Sequence, residues 1–302
     1  MADDKKRIDQ PTGTETVGHE WDGIEELNTP LPRWWLWAFY ASIVWGLAYT
    51  IFYPAWPLVS EATAGVLNWS SRGKLEKELA AEQLRKAPIV NAIAATPVER
   101  LEGNPQLMQA AVEGGRAAFR QNCVQCHGSG AAGSKGYPNL NDDDWLWGGD
   151  ISAIHYSIEH GVRNPEHDKT RMSQMPAFGR DGLLQANEIE DLTAYVRTVS
   201  RQRRVDALAR RGAALYQTNC AACHGTTANG NREFGAPNLT DAIWLYGGDE
   251  ESVRKSIHDA RFGVMPRWGG KLDPATTKML AAYVHSLGGG ERQTVQTARR
   301  EK

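Results

Sequence analysis

The sequence contains the pentapeptide CVQCH at residues 123–127 and the pentapeptide CAACH at residues 220–224. Both have the pattern C-x-x-C-H, which attaches a c-type haem. Two thiols one helical turn apart can each add to a vinyl group at the porphyrin edge, and the adjoining histidine then lies below the iron as its axial ligand. A single C-x-x-C could also form a redox dithiol or half of a zinc site, but two copies with their histidines favour haem. The predicted attachment residues are Cys123, Cys126, Cys220 and Cys223, and the predicted proximal ligands are His127 and His224.

Both motifs lie at the same place in an internal repeat. Residues 115–128 match residues 212–225, and three further blocks follow in the same order in each copy. The copies are much longer than the roughly 20–50 residues of a solenoid repeat, so they indicate a duplicated domain. We place the first domain at residues 110–202 and the second at residues 203–288.

The repeat also contains a candidate for the sixth iron ligand. Met175 and Met265 each precede a proline at matched positions, 48 and 41 residues beyond the motif histidine of their own copy. A thioether opposite histidine raises the reduction potential of a haem, as suits an electron carrier. Met172 lies three residues before Met175 and could take its place. Five other histidines could ligate iron, but none recurs at an equivalent place in both copies; they are His155, His160, His167, His258 and His285.

A proline-containing turn follows each haem motif, at Pro138-Asn139 and at Pro237-Asn238. A metal-bound histidine needs an acceptor for its other ring nitrogen, and a rigid loop can offer a backbone carbonyl for this purpose. These four residues are therefore predicted to support the haem ligands; the alternative is an ordinary turn with a packed leucine. Aromatic residues beyond each turn are predicted to wall the haem pockets. They are Trp145, Trp147, Trp244 and Tyr246.

Apolar residues recur at helical spacing on both sides of each haem motif. Residues 112–122 and 209–219 run directly into the cysteines, which predicts a helix before each motif. Residues 188–200 and 275–287 predict a closing helix for each copy. The segments between are rich in glycine, proline, asparagine and aspartate and do not alternate as strands do. The sequence predicts a mainly α fold with long loops.

Twenty residues without a charge, residues 34–53, precede the repeat. A helix of that length rises about 30 Å, the thickness of the hydrocarbon core of a bilayer. Tryptophan and tyrosine gather at both of its ends, as at two headgroup interfaces. The sequence therefore predicts one transmembrane anchor at residues 34–57. A buried soluble helix is an alternative, whereas a cleaved signal peptide is disfavoured because the run starts late and lacks a small-residue cleavage site.

Polar segments flank the anchor and the repeat. Residues 1–33 are charged and end in two prolines, which predicts a flexible tail, and residues 289–302 predict a polar C-terminal tail. Residues 58–109 form a spacer, in which residues 73–87 predict a short helix that stops at Pro88. Residues 89–104 are predicted to lie over the surface of the domains that follow.

The overall composition limits the classes of function. The 302 residues include 34 Lys+Arg and 36 Asp+Glu, a formal net charge of -2, so the chain lacks the basic excess of a nucleic-acid-binding protein. Its mean hydropathy of -0.50 excludes a polytopic membrane protein and allows one spanning helix. Acidic residues gather at Asp142, Asp143 and Asp144, which predicts a docking surface for a basic redox donor. The alternative is a solvated acidic loop.

The anchor and the two haem motifs together resemble one family. Residues 23–40 (GIEELNTPLPRWWLWAFY) and residues 53–58 (YPAWPL) are followed by two class I cytochrome c units. This combination is similar to the membrane-anchored dihaem subunit, called subunit III or the P subunit, of cbb3-type cytochrome c oxidases. The similarity extends over nearly the whole chain, and the anchor block is its more specific part.

The resemblance implies an electron-transfer subunit of a bacterial, proton-pumping terminal oxidase, with two covalent c-type haems and no catalytic residues of its own. It implies several partners: a donor cytochrome c, a monohaem cytochrome c subunit, the haem-copper catalytic subunit and membrane lipid. It also implies a single pass through the inner membrane, with a cytoplasmic N-terminus and periplasmic haem domains. Two other functions stay open. One is a stand-alone membrane-anchored dihaem carrier, and the other is a dihaem peroxidase, against which the paired Met-Pro motifs argue.

Overall fold

The computed structural model describes residues 6–292 and divides the chain into two compact units, residues 1–85 and residues 86–302. The described residues are mainly helical, as the sequence predicts. The elements in chain order are β1 (Thr16–Trp21), β2 (Ile24–Leu27), α1 (Arg33–Phe52), α2 (Ser71–Ala95), a 3-10 helix (Val98–Gly103), α3 (Pro105–Asn122), α4 (Val124–His127), α5 (Ile151–His160), α6 (Ala186–Val199), α7 (Ala207–Asn219), α8 (Ala221–His224), α9 (Glu250–Asp259) and α10 (Pro274–His285).

The polar N-terminal segment contains a β-hairpin where the sequence predicted a flexible tail. Strands β1 and β2 pair antiparallel around Asp22 and Gly23, whose φ angles are 51° and 85°. Two positive φ angles are typical of a type I′ turn, and Asp-Gly is one of its preferred dipeptides. The prediction was wrong for residues 16–27 because it weighed polar composition and passed over this turn signal. Residues 1–5 lie outside the described part of the chain.

Helix α1 is the predicted membrane anchor. None of its residues is buried, and its most apolar 18-residue window has a mean hydropathy of 1.4. The backbone N–H groups of Val66 and Leu67 donate to the last two carbonyls of the helix, which have no donor within the helix itself. Apolar side chains exposed on every side of α1 fit a lipid-facing helix and not the core helix of a soluble domain.

Helix α2 does not stop at Pro88, as the sequence predicted, but continues through it. An internal proline removes one backbone hydrogen bond. The two turns that follow place Val90, Ile93 and Ala94 against a hydrophobic core, and Ile93 is fully buried there. The Lys278 ammonium also donates to the Ala94 carbonyl at 2.7 Å, at the helix end. Burial of this apolar face holds the helix together beyond the proline.

The rest of the predicted surface stretch belongs to the core as well. Val98 and Leu101 of the 3-10 helix are buried in the same cluster as the end of α2. The prediction was wrong because it took the proline and small residues of residues 89–104 as breaks in open chain. In the structure Pro97 directly precedes the 3-10 helix and Pro105 begins α3, positions where a missing N–H costs little.

The helices beside each haem motif form as predicted, α3 and α7 before the motifs and α6 and α10 as closing helices. Side chains cap their starts, with Asn104 at α3 and Asp206 at α7. The Gly-Gly-Asp block of each copy ends in the N-cap of the next helix, Asp150 for α5 and Asp249 for α9. These repeated residues therefore mark repeated helix starts.

The long helices pair across the two copies instead of within them. Helix α3 of the first copy packs along α10 of the second, and α6 of the first packs along α7 of the second. The ring centroids of Phe119 and Tyr283 lie 5.3 Å apart in the first pair. Those of Tyr195 and Tyr216 lie 5.0 Å apart in the second pair. Two cores result, one built on α3, α5 and α10 and the other on α6, α7 and α9.

Backbone hydrogen bonds also join the methionine loop of each copy to residues of the other copy. Val162 of the first copy and Met265 of the second exchange both of their N–H to carbonyl bonds, at 3.0 and 2.9 Å. Gly269 then donates to the carbonyl of Glu159 in α5 at 3.1 Å. Gly179 donates to the carbonyl of His258 in α9 at 3.2 Å. Each methionine loop therefore closes over a helix of the other copy.

Residues 289–292, the described part of the predicted C-terminal tail, fold back on the first copy. The indole of Trp145 donates to the Gly289 carbonyl at 2.6 Å. The Glu291 carboxylate accepts from the Gly149 N–H at 3.0 Å and pairs with the Arg232 guanidinium. The start of this tail is packed, and residues 293–302 lie outside the described part of the chain.

The contact between α3 and α10 predicts a strong effect at one glycine. A Cβ atom on Gly115 would overlap the backbone carbonyl of Met279, so Gly115→Ala is expected to lower the free energy of unfolding by about 1–3 kcal/mol. Gly114→Ala is the matched control, because its Cβ would meet only the flexible end of the Met279 side chain and alanine favours a helix. Chemical denaturation of the haem-loaded full chain, followed at the haem absorption, measures both. Equal effects of the two variants would contradict the close packing of α3 on α10.

Candidate haem sites

A one-turn helix carries each C-x-x-C-H motif. Cys123 ends α3, where its N–H donates to the Phe119 carbonyl at 2.8 Å, and α4 then carries Cys126 and His127. The second copy repeats this arrangement through α7 and α8. Two cysteines and a histidine thus lie on one turn, as covalent attachment of a porphyrin beside its axial ligand requires.

Burial sets the protonation of both motifs. It raises the pKa of the free Cys123 and Cys220 thiols to about 11, so both are protonated near neutral pH until a thioether bond to haem replaces that proton. It also lowers the pKa of His127 and His224 below the ordinary value for histidine, against the opposing effect of a backbone hydrogen bond. Both imidazoles are therefore neutral at physiological pH, which is the form that binds a metal.

A backbone carbonyl orients each motif histidine. His127 donates from Nδ1 to the Pro138 carbonyl at 3.1 Å. His224 donates in the same way to the Pro237 carbonyl at 3.0 Å. Because Nδ1 carries the proton, the lone pair of Nε2 is left for the iron. The next residue of each turn accepts a hydrogen bond from the N–H two positions on and fixes the turn; these residues are Asn139 and Asn238.

One cavity, of about 270 Å³, contains the second haem motif. Cys220, Cys223 and His224 line it. The methionine in its wall is Met175, which comes from the first copy and also packs into the core cluster around Cys220. The thioether and the imidazole of this site thus come from different copies of the repeat.

The first haem motif has the reverse arrangement. Met265 of the second copy packs into the core cluster that contains Cys123, and its backbone pairs with Val162 beside α5. The sequence interpretation assigned each methionine to the histidine of its own copy. The structure instead places Met265 in the core cluster that contains Cys123, and Met175 in the cavity that contains His224. The spacing between each motif and the methionine of its own copy does not show which loop closes over which motif.

The remaining candidate ligands lie elsewhere. Met172 is 62% exposed, whereas Met175 lines the cavity, so the structure favours Met175. The other five histidines make contacts outside the cavity wall: His160 bonds His167 at 2.9 Å, His155 bonds Thr277, and His258 and His285 pair with Asp259 and Glu102.

The aromatic residues that the sequence singled out wall both sites. Trp244 and Tyr246 line the second cavity, and Trp145 packs into the core of the first. Trp147 packs against the loop of the other copy at Gly235, where any Cβ would overlap the indole. Gly235 also has a φ of 56°, so both the space and the backbone conformation require glycine there.

Buried polar atoms test whether the residues present fit haem. The indole Nε1 of Trp147 and the guanidinium Nε of Arg197 and of Arg261 are buried and have no hydrogen-bond partner among the described residues, and Arg261 lines the cavity of the second motif. Buried donors without an acceptor are rare in proteins. A haem carries two propionate carboxylates, which are acceptors of the kind that these donors lack. Arg261, together with Cys220, Cys223, His224 and Met175, makes the second site suitable for haem.

Sequence reasoning missed a pair of arginines at these sites. Arg171 and Arg261 each lie four residues before a ligand methionine, at matched positions of the repeat. The guanidinium of Arg171 lies 5.3 Å from the ring centroid of Trp147. That of Arg261 lies 4.8 Å from the ring centroid of Tyr246. The repeated spacing Arg-x-x-x-Met is the signal that could have identified them.

The acidic turn is more buried than the sequence predicted. Asp143 is exposed, whereas Asp142 and Asp144 are half-buried and line the second cavity. Burial, together with the negative charges of the neighbouring aspartates, raises the pKa of Asp144 to about 6. Burial also raises the pKa of Asp142. The turn therefore offers one exposed carboxylate to a donor, not three.

Three family models match the chain. The N-terminal domain of cytochrome oxidase-cbb3, FixP, matches residues 13–60, cytochrome c matches residues 112–200, and cytochrome c oxidase, cbb3-type, subunit III matches residues 207–284. The chain is 51% identical over 282 residues to the cbb3-type cytochrome c oxidase subunit CcoP of Cereibacter sphaeroides, which covers 93% of this chain and 97% of that protein. It is 50% identical over 291 residues to the subunit FixP of Sinorhizobium medicae, which covers 96% of this chain and 100% of that protein.

The chain belongs to the cbb3-type cytochrome c oxidase subunit III family. This cbb3 subunit is an electron-transfer component of an oxidoreductase complex, it contains two c-type haems, and α1 anchors it in the membrane. The comparisons do not favour the stand-alone carrier that the sequence left open.

The exchanged ligands of the cbb3 subunit can be tested one haem at a time. Cys123→Ala leaves one vinyl group conjugated with the first porphyrin, which shifts its absorption and marks that haem. On this background Met265→Leu is expected to change the marked spectrum and to lower the reduction potential of the marked haem, because a thioether ligand is lost. Met175→Leu is expected to change the unmarked haem instead, and spectroelectrochemistry separates the two.

Met172→Leu is the control for these variants, since Met172 is exposed and should leave both haems unchanged. A change in the unmarked haem after Met265→Leu would show that the ligands are not exchanged.

The raised pKa of Asp144 predicts a pH-dependent stability. The folded state holds the Asp144 proton more tightly than the unfolded state does, so its contribution to stability falls as the pH rises from about 4 through 6. Asp144→Asn removes that loss and is expected to raise the melting temperature at pH 7.5, with a smaller effect at pH 4.5. Asp143→Asn, at an exposed neighbour, is the control. The same shift for Asp144→Asn at both pH values in a thermal melt would count against a buried, protonated carboxyl.

Proposed function

We propose that this cbb3 subunit takes electrons from a donor cytochrome c and passes them through its two haems to a monohaem cytochrome c subunit. From there the electrons reach the haem-copper subunit, which reduces oxygen and pumps protons. The chain itself relays electrons and breaks no substrate bond. The N-terminus is cytoplasmic, α1 crosses the membrane once, and both haem domains lie in the periplasm.

The observation that carries this proposal is the contact between the two haem sites. Pro138, whose carbonyl orients His127, also lines the cavity that contains His224. The N–H of Gly136, just before it, donates to the carbonyl of Leu245 in the wall of that cavity at 2.8 Å. Electron exchange between two centres falls steeply with distance. Two sites that share wall residues are therefore arranged for transfer from one haem to the other.

The ligand sets support a relay role over catalysis. Each site offers one imidazole and one thioether, which would hold a haem iron and leave no position free for a substrate. A dihaem peroxidase needs one iron with an open or displaceable ligand. The matched His-Met sets in the two sites therefore favour electron transfer, and the thioethers favour a high potential suited to an acceptor of cytochrome electrons.

The proposed orientation follows from the chemistry of attachment. In bacteria, c-type haem is attached outside the cytoplasmic membrane, so residues after α1 that carry C-x-x-C-H motifs belong on that side. Among the described residues, Arg33–Phe52 is the one helix long and apolar enough to span a bilayer. One crossing places the N-terminal hairpin on the opposite, cytoplasmic side.

Purification of the chain with its partners, in mild detergent from its own membranes, tests the proposal. The expected sample shows c-type and b-type haem bands and consumes oxygen when supplied with reduced cytochrome c. Omission of the cytochrome, with a small-molecule reductant in its place, controls for electron entry that bypasses this chain. A sample with c-type bands alone and no oxygen uptake would contradict the proposal and indicate a stand-alone carrier.

A further inference from the structure

The hairpin β1–β2 has an apolar tip that the described chain does not cover. Trp21 and Ile24 pair across the strands, directly beside the turn, so their side chains share one face of the hairpin. Trp21 is 69% exposed and Ile24 is 70% exposed. A two-stranded hairpin is at best marginally stable in water and needs another layer against its apolar face. The Trp21–Ile24 face is therefore expected to pack against a partner.

The opposite face of the hairpin is already occupied within its own unit. Glu20 and Glu25 also pair across the strands, and both form ion pairs with Arg7. Thr16 is 3% exposed and exchanges hydrogen bonds with the backbone of Arg7. The segment around Arg7 thus covers one face and leaves the Trp21–Ile24 face open.

The charge of the hairpin indicates which kind of partner fits. Residues 16–27 contain four carboxylates and no lysine or arginine. Glu26 is exposed and lies two positions after Ile24 in β2, which places it on the same face. The cytoplasmic leaflet is negatively charged, so it repels this face. A basic protein surface attracts it.

The chain length limits where that surface can lie. Five residues, 28–32, separate the end of β2 from the start of α1. Even fully extended, they span at most about 18 Å. The partner must therefore be at the membrane surface, beside the N-terminal end of α1.

We propose that the Trp21–Ile24 face docks on the lysine- and arginine-bearing cytoplasmic loops of the membrane-embedded subunit of the oxidase complex. Proteins with several membrane spans carry an excess of these residues in their cytoplasmic loops. Trp21 and Ile24 form the apolar centre of the contact, and Glu26 supplies a charge at its rim. This inference rests on the proposed function, because it takes the N-terminus as cytoplasmic and the chain as part of a complex.

The ratio of b-type to c-type haem in the purified complex tests the docking. The full chain carries a C-terminal tag and is expressed with its oxidase partners. Combined Trp21→Ala and Ile24→Ala substitutions are expected to lower the ratio about fivefold or more, since central aromatic and apolar anchors dominate an interface. Glu26→Lys, which changes one exposed charge, is expected to lower it most at low salt, where charges are least screened. Because the ratio is taken per c-type haem, a lower yield of the chain does not mimic dissociation.

Two controls complete the experiment. Trp21→Phe with Ile24→Val keeps the face apolar and is expected to retain the complex. Leu84→Ala removes a side chain that is 76% exposed in α2, outside the hairpin, and should leave the ratio unchanged. An unchanged ratio in both the double-alanine and the Glu26→Lys variants would overturn the docking, and this is the result expected if the hairpin rests on lipid. Absence of b-type haem from the unaltered complex would count against the proposed function instead.

Discussion

Two backbone hydrogen bonds between Val162 and Met265 fix the arrangement on which both haem sites depend. They hold a methionine of the second copy beside the first haem motif, and the reverse closure brings Met175 to the cavity of His224. Each core that contains a haem motif therefore includes a methionine of the other copy. Because each core also combines helices of both copies, the position of a ligand and the packing of the helices are properties of one cooperative unit.

Local features of the sites follow from the sequence, whereas the pairing of the copies does not. The bond from His127 to Pro138 joins residues eleven positions apart, so a motif and its turn are enough to predict it. The choice between Met175 and Met265 involves two loops with the same Met-Pro sequence, and nothing local distinguishes them. The sequence does contain one signal for how the copies pair, because the connection from α6 to α7, residues 200–206, is short. Short connections join antiparallel neighbouring helices, so α6 of the first copy is expected to pack on α7 of the second copy.

The sequence predictions for the spacer and for the N-terminal segment were wrong for opposite reasons. At Pro88 a sound local rule was overridden, because burial of Ile93 and its neighbours outweighs one missing backbone hydrogen bond. At Asp22-Gly23 a sound local rule was available and polar composition obscured it. The acidic turn is a third case. Its charge was evident, but the half-burial of Asp144 depends on a cavity wall that only the exchanged copies create.

The same exchange couples the two haem sites electrostatically. Pro138 belongs to the first site through its bond to His127 and to the second through the cavity wall, and the half-buried Asp144 lies in that wall too. Charges separated by packed protein are screened far less than charges separated by water. A charge introduced at one site would therefore act on the groups that hold the other haem and on the half-buried Asp144 carboxyl in their common wall. Two separate tandem domains would keep the residues around each haem apart, whereas here the residues that would hold the two haems belong to one packed unit.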